Sequence, residues 1–281
     1  MEENTMNSKN CTIRCGNWLA EIAPAHGANI VLLRRGEEDI LKPWTEEIAD
    51  PYLGGAPLLL PANRTAGGRF TFEGRTYQLP INEEYSQSNL HGSLHTQTFA
   101  VKEHGPAHIC LEYENTGIYP FPFRITVCYH LRKDGLESRY CIENLAETAM
   151  PLTFALHTTF PEPASFCVPV AACQERNDHY LPTGRYVPLS PQEEHYCTGS
   201  PSKGVAVSGY FSAAGNTAHI GEHLSYRVEG FDHWVLFNGK GQAGLLCIEP
   251  QLGGVNALNT PTCPVIPKGG NLKLKTLLTY R

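Results

Sequence analysis

A chain of 281 residues with 41% hydrophobic and 18% charged positions is globular, with enough apolar material for one large core. Its formal charge of -6 and pI of about 6.1 leave no basic footprint for nucleic acid. No run of the sequence approaches the roughly 18 apolar residues of a membrane-spanning helix.

The opening MEENTMNSKN is polar and lacks the apolar run of a signal peptide, so a soluble, cytoplasmic protein with residues 1–10 as a mobile tail is expected. The 26 Gly and 21 Pro favour many turns and few long helices. Cys11 to Ile22 reads as two short strands around Gly16 and Asn17, Pro24 to Asn29 as a turn, and Ile30 to Leu33 as a further strand. Lys42 to Pro51 is polar and has room for a single helical turn. Next comes the most informative stretch, Pro57 to His95. Its apolar run Leu58 to Leu60 stops at Pro61 and delivers Asn63 and Arg64 into a turn at Gly67 and Gly68. A two-stranded ribbon follows, with Phe70 and Phe72 on one face, a turn at Glu73-Gly74, and Tyr77 and Leu79 returning. A polar connection then brings in His91. Arg64 offers forked donors and His91 a group that titrates near neutrality. On the residues alone, the pair reads equally as surface and loop side chains.

From Ala107 the apolar residues alternate: Ile109, Leu111 and Tyr113, then Ile125, Val127, Tyr129 and Leu131, with a hairpin turn at Asp134-Gly135. This predicts an antiparallel meander. Met150 to Phe160 predicts a strand with Leu152, Phe154 and Leu156 on one face and Thr153, Ala155 and His157 on the other. Pro161 to Ser200 is the least regular part, a long excursion of the kind that covers a site. In the strand ending at Glu249, Leu245 and Cys247 share the side of the carboxylate, whereas Leu246 and Ile248 take the other. A carboxylate closing so apolar a strand either meets a basic partner or has work to do, because an unpaired buried charge is costly. Leu272, Leu274, Thr276 and Leu278 alternate in a closing strand. With no repeat and no linker, residues 1–281 read as one antiparallel β-sandwich domain. The ten cysteines include no Cys-x-x-Cys pair, which speaks against structural zinc. Cys110, Cys128, Cys141 and Cys247 fall in strands and are expected as free, core-filling thiols; a disulfide framework is not expected.

Ala62-Asn63-Arg64 before the Gly-rich ribbon, Asn89-Leu90-His91-Gly92, Leu156-His157, and Glu249-Pro250 before Asn256-Ala257 together resemble the aldose 1-epimerases, the galactose mutarotase-like family. Ala25-His26-Gly27-Ala28 is similar too, and the likeness spans nearly the whole chain. The resemblance implies an all-β supersandwich with a sugar cleft on one sheet. It implies that Glu249 is the base, His157 the acid, and Arg64, His91 and Asn63 the binders of a small-molecule sugar, with no cofactor and no metal. The chain departs from the pattern in two places. Thr158-Thr159-Phe160-Pro161 follows the second His where classical members have a Tyr-Phe-Asn-Leu sequence. Ser208-Gly209-Tyr210-Phe211 stands where many members carry a sugar-holding aspartate, with Asp178 and Asp232 as nearby carboxylates outside the motif. The chain resembles a divergent bacterial branch, which leaves the sugar open. A non-catalytic carbohydrate-binding module and a hexose-6-phosphate epimerase are the alternatives. The second calls for a basic cluster at the cleft mouth, and Arg69 and Arg75 on the ribbon do not make one.

Overall fold

The computed structural model describes residues 9–281; the expected tail lies largely outside them. Two antiparallel sheets carry the molecule. The back sheet runs in the order Ala100–His104, His108–Glu114, Phe123–Arg132, Gly135–Asn144, Asn271–Tyr280, Leu224–Glu229, Thr217–Ile220 and Phe166–Cys167. The site sheet runs Pro182–Pro188, Val170–Arg176, Ser208–Ala213, His233–Phe237, Leu245–Leu252, Phe154–Leu156 and Leu58–Leu59, with Thr159–Pro161 also pairing to Leu245–Leu252. A four-stranded meander of Cys11–Cys15, Trp18–Ala23, Asn29–Arg35 and Glu38–Asp39 stands beside them.

Period-2 alternation is what places the core. Ile109, Leu111, Ile125, Val127 and Tyr129 are buried inward from the back sheet, and Phe154, Leu156, Leu246 and Ile248 from the site sheet, in one continuous cluster. Trp234 is wholly buried in it, with its indole N–H donating to the Gly215 carbonyl. The meander hairpin expected at Asp134-Gly135 turns one residue earlier, at Lys133-Asp134, in a register that runs unbroken from Phe123↔Asn144 to Arg132↔Gly135.

Three expectations need correction. The Met150 to Phe160 strand is interrupted, its pieces being Met150–Pro151, Phe154–Leu156 and Thr159–Pro161, though the two faces are as predicted. Pro161 to Ser200 is regular after all. It supplies an edge hairpin of the site sheet and the α-helix Pro191–Thr198, whose start is held by reciprocal bonds between Ser190 and Glu193. The cysteines were assigned to the wrong face: Cys110 and Cys128 oppose one another on adjacent strands and are joined by a disulfide. They occupy the positions that alternate with Ile109, Leu111, Val127 and Tyr129, so they point away from the core. Cys141 is only half-buried, and of the strand cysteines Cys247 alone is a buried free thiol.

Candidate active site

The site sheet carries a cleft of about 440 Å³ whose floor is set by strand register. Ala155 faces Gln251 on the strand Leu245–Leu252, and further along Thr159 faces Cys247. The break between these pairings therefore sets His157 opposite Glu249, and their Nε2 and Oε1 atoms lie 3.4 Å apart. The break does not cost the ladder its bonds: the Ile248 N–H donates to the Thr158 carbonyl and the His157 N–H to Pro57. Both side chains are almost fully buried, at 6% and 2% exposure, and His157 Nδ1 and Glu249 Oε2 have no protein partner.

One wall is the ribbon in which Arg64–Ala66 pairs with Ser88–Leu90. Asn63 and His91 both adopt positive φ, 53° and 62°, and the His91 N–H donates to the Asn63 carbonyl at 2.8 Å. Asn256 fastens the ribbon from below. Its N–H donates to the Arg64 carbonyl and its Oδ1 accepts from the Ala66 N–H, both at 3.0 Å. The Arg64 guanidinium is held by the Tyr210 hydroxyl at 3.0 Å and by Glu83 at 3.4 Å, and lies over the Tyr180 ring. Asn63 lines the cleft, but its Oδ1 also accepts the Arg64 N–H, so part of its work is to shape the ribbon. Arg64, His91, Asn63, His157 and Glu249 thus all border one cavity.

The cleft also holds residues that the sequence reading missed. Asp50, from the polar segment expected to hold a helical turn, is its carboxylate besides Glu249. Tyr52 packs among three imidazoles at tilted or edge-on angles, with ring centroids 4.5 Å from His91, 4.9 Å from His95 and 5.9 Å from His157. Arg176, Tyr180 and Lys240 line the rim. Asp50 falls in the polar segment Lys42 to Pro51 and Arg176 and Tyr180 in the excursion Pro161 to Ser200, but no pattern in the sequence marks these side chains as cleft residues. Asp178 and Asp232 do not line the cleft; Asp232 instead bonds the His233 ring at 2.7 Å and the Gly253 N–H at 2.8 Å.

Burial governs the electrostatics. Desolvation pushes the Glu249 carboxyl well above the usual carboxylate range; the Arg64 cation pulls it back and Asp50 adds to the rise. Desolvation holds His157 down to about 4, and it also lowers His91 well below the usual imidazole value, with the neighbouring His157 and Arg64 acting in the same direction. Burial thus disfavours charge on both members of the facing pair, the carboxylate of Glu249 and the imidazolium of His157. Such a pair holds one proton to give and one place to take one.

A family model described as aldose 1-epimerase matches residues 11–250, and the chain belongs to that family. Among curated relatives, rat galactose mutarotase is 30% identical over 65% of this chain and 51% of its own length. An uncharacterized Escherichia coli protein, YphB, is 33% identical over 37% of this chain and 36% of its own. The matched stretches thus span about a third to a half of those relatives. A galactose mutarotase-like protein from Clostridium acetobutylicum superposes with a TM-score of 0.87 at 20% identity, covering 96% of this chain and 94% of the other. A putative aldose 1-epimerase from E. coli superposes with a TM-score of 0.85 at 22% identity, covering 97% and 99%. At these identities the structural likeness is one of fold: this is a galactose mutarotase-like β-sandwich. Among the described residues no helix is long and apolar enough to cross a membrane.

Proposed function

We propose that the protein is a mutarotase that interconverts the α and β anomers of a free aldohexose. The observation that carries this reading is the facing of His157 and Glu249, 3.4 Å apart, on the floor of a cleft large enough for one sugar ring. Anomer exchange needs a proton taken from the anomeric hydroxyl and a proton given to the ring oxygen. Those two oxygens are bonded to the same carbon, so acid and base must sit side by side. Glycoside hydrolysis, in contrast, sets two carboxylates about 5–9.5 Å apart across a bond.

Glu249 removes the hydroxyl proton, His157 protonates the ring oxygen, and the ring opens. After rotation of the aldehyde the roles reverse and the ring closes on the other face. For Glu249 to start as base, the proton of the pair passes to His157 when sugar binds. The sugar hydroxyls then supply donors to the carboxylate that burial withholds, and Arg64 adds its positive field. Arg64, His91 and Asn63 orient the ring. Polarimetry on freshly dissolved α-glucose and α-galactose tests the reading. Glu249→Gln and His157→Asn should each lower the catalysed rate by about 10²- to 10⁴-fold with circular dichroism unchanged. A wild-type protein that leaves the spontaneous rate unaltered is a binding module, and the reading fails.

A second reading concerns the sugar. Arg69 and Arg75 do not reach the cleft, but Arg176 and Lys240 border it alongside Arg64. Three cations around one cavity favour an aldose carrying an anionic substituent. The same assay with hexoses and their 6-phosphates decides between them by the ratio of kcat/KM.

A further inference from the structure

We propose that the floor of this cleft is also a binding site for a soft divalent cation such as Zn2+, held by His157 Nε2, Cys247 Sγ and a Glu249 carboxylate oxygen, and that the bound ion switches off the chemistry of the cleft. The binding half of the proposal stands on geometry alone; the inhibitory half rests on the catalytic reading of His157 and Glu249.

Register brings the three donors together. Cys247 and Glu249 lie two apart on one strand, on the same side, and His157 stands opposite Glu249 through the pairing that sets Thr159 opposite Cys247. One ligand atom from each lies within 4.8 Å of the other two, and no other group of three or more His, Cys, Asp or Glu side chains meets this condition among the described residues. Zinc–ligand bonds of about 2.0–2.3 Å put the donors of a tetrahedral site roughly 3.3–3.8 Å apart. The Nε2-to-Oε1 separation of 3.4 Å already falls in that range, so closure requires a shift of about 1 Å at most, mainly of the thiol.

The donors are also short of competing partners. The Cys247 thiol has only a weak contact with the Thr159 hydroxyl at 3.5 Å, and Glu249 Oε2 has none. Cys247 is the one fully buried cysteine among the free thiols, and its burial beside an acid disfavours the bare thiolate. A dication removes that obstacle: two anionic ligands and a 2+ charge make a neutral site, at the expense of one proton released from Cys247 and one from Glu249. His157 coordinates through its neutral lone pair. The thiolate selects Zn2+ or Cd2+ over Mg2+ and Ca2+. His157 and Glu249 border the cleft, which gives the ion its way in and leaves the fourth position open to water. An ion there occupies both the lone pair and the carboxylate oxygen that move protons.

The test uses the full chain with its Cys110–Cys128 disulfide intact and its remaining thiols free, stripped of metal, with Co2+ as the optical probe. Wild type should give a thiolate-to-cobalt charge-transfer band at one equivalent, bleached by Zn2+ and lost in Cys247→Ala. Circular dichroism checks that the variant is folded, and Cys247→Ser serves as a second variant should Ala fail to fold. Catalysed mutarotation by wild type should fall at least tenfold in saturating Zn2+ and return with chelator, whereas Cys247→Ala should need at least tenfold more Zn2+ for the same loss. No band in wild type, or an unchanged band in both folded variants, overturns the site. A band without inhibition of an active enzyme overturns the inhibitory half. A band in a protein with no mutarotase activity supports the site and counts against the catalytic reading.

Discussion

At Glu249 and His157 the protein keeps two ionisable groups where water scarcely reaches, and both respond by giving up charge. Because they touch, they titrate as a pair with apparent values that belong to neither alone. The proposed mechanism requires one proton between them. On the acid side the pair takes up a second proton as His157 titrates, near 4, and no acceptor remains. On the alkaline side it loses its only proton well above the ordinary carboxylate value. The kcat/KM profile should therefore have its acid limb near 4, with the alkaline limb above the ordinary carboxylate range. A limb centred near the usual imidazole value of about 6.5 would show that the reacting His is solvated and the pair assignment wrong. Strand parity singled out His157 and Glu249 in the sequence, since each is the lone imidazole or charged group on an otherwise bland face. Asp50, Tyr52, Arg176, Tyr180 and Lys240 carried no such mark. They come from irregular segments or rims, where no period links residue number to direction, and only folding brings them to the cleft.

Among the elements, those with a clean period of two were legible to within a residue or two, notably the meander from His108 to Asn144 and the closing strand Asn271–Tyr280. Proline misled in the stretch from Pro161 to Ser200. There Pro182 and Pro188 begin and end an edge strand and Pro191 starts a helix, all positions where a missing N–H does little harm. At Cys110 and Cys128 the tendency of a free Cys to fill a core conflicts with the alternation of Ile109, Leu111, Val127 and Tyr129, which points both outward, and the alternation wins. The ribbon that holds Arg64 and His91 depends on one close approach. Gly92 adopts φ of +57°, and a Cβ there would lie 1.9 Å from the Leu60 carbonyl oxygen. Gly92→Ala should thus combine left-handed strain with a backbone overlap, destabilising by on the order of 3 kcal/mol or more in urea unfolding. A loss below about 1 kcal/mol would mean that the ribbon is free to move away, and so does not fix His91.

For the whole molecule, the cleft is a stability liability that depends on pH. His91, His95 and His157 are neutral when folded, with His95 and His157 held down to about 4 by burial, so the unfolded chain binds their protons more readily. The stability tied to each is present above about pH 6.5 and lost as pH falls towards the folded value, about 2 kcal/mol at pH 5 for a shift of this size. Glu249 works the other way. Its raised folded pKa makes the folded chain hold a proton that the unfolded chain releases, so its burial costs stability above the usual carboxylate range and that cost fades on acidification. Three groups thus take up protons on unfolding as pH falls below about 6.5, and Glu249 opposes them. Replacing His95, which does not line the cleft, by Gln should reduce the slope of unfolding free energy against pH by about one proton. Glu249→Gln should steepen it and leave the protein at least as stable at pH 7, although inactive. Urea unfolding of the three proteins between pH 5 and 7 measures both changes. Parallel slopes for wild type and Glu249→Gln would mean that the carboxyl is ionised in the folded protein. Burial would then not be what sets the charge of the cleft.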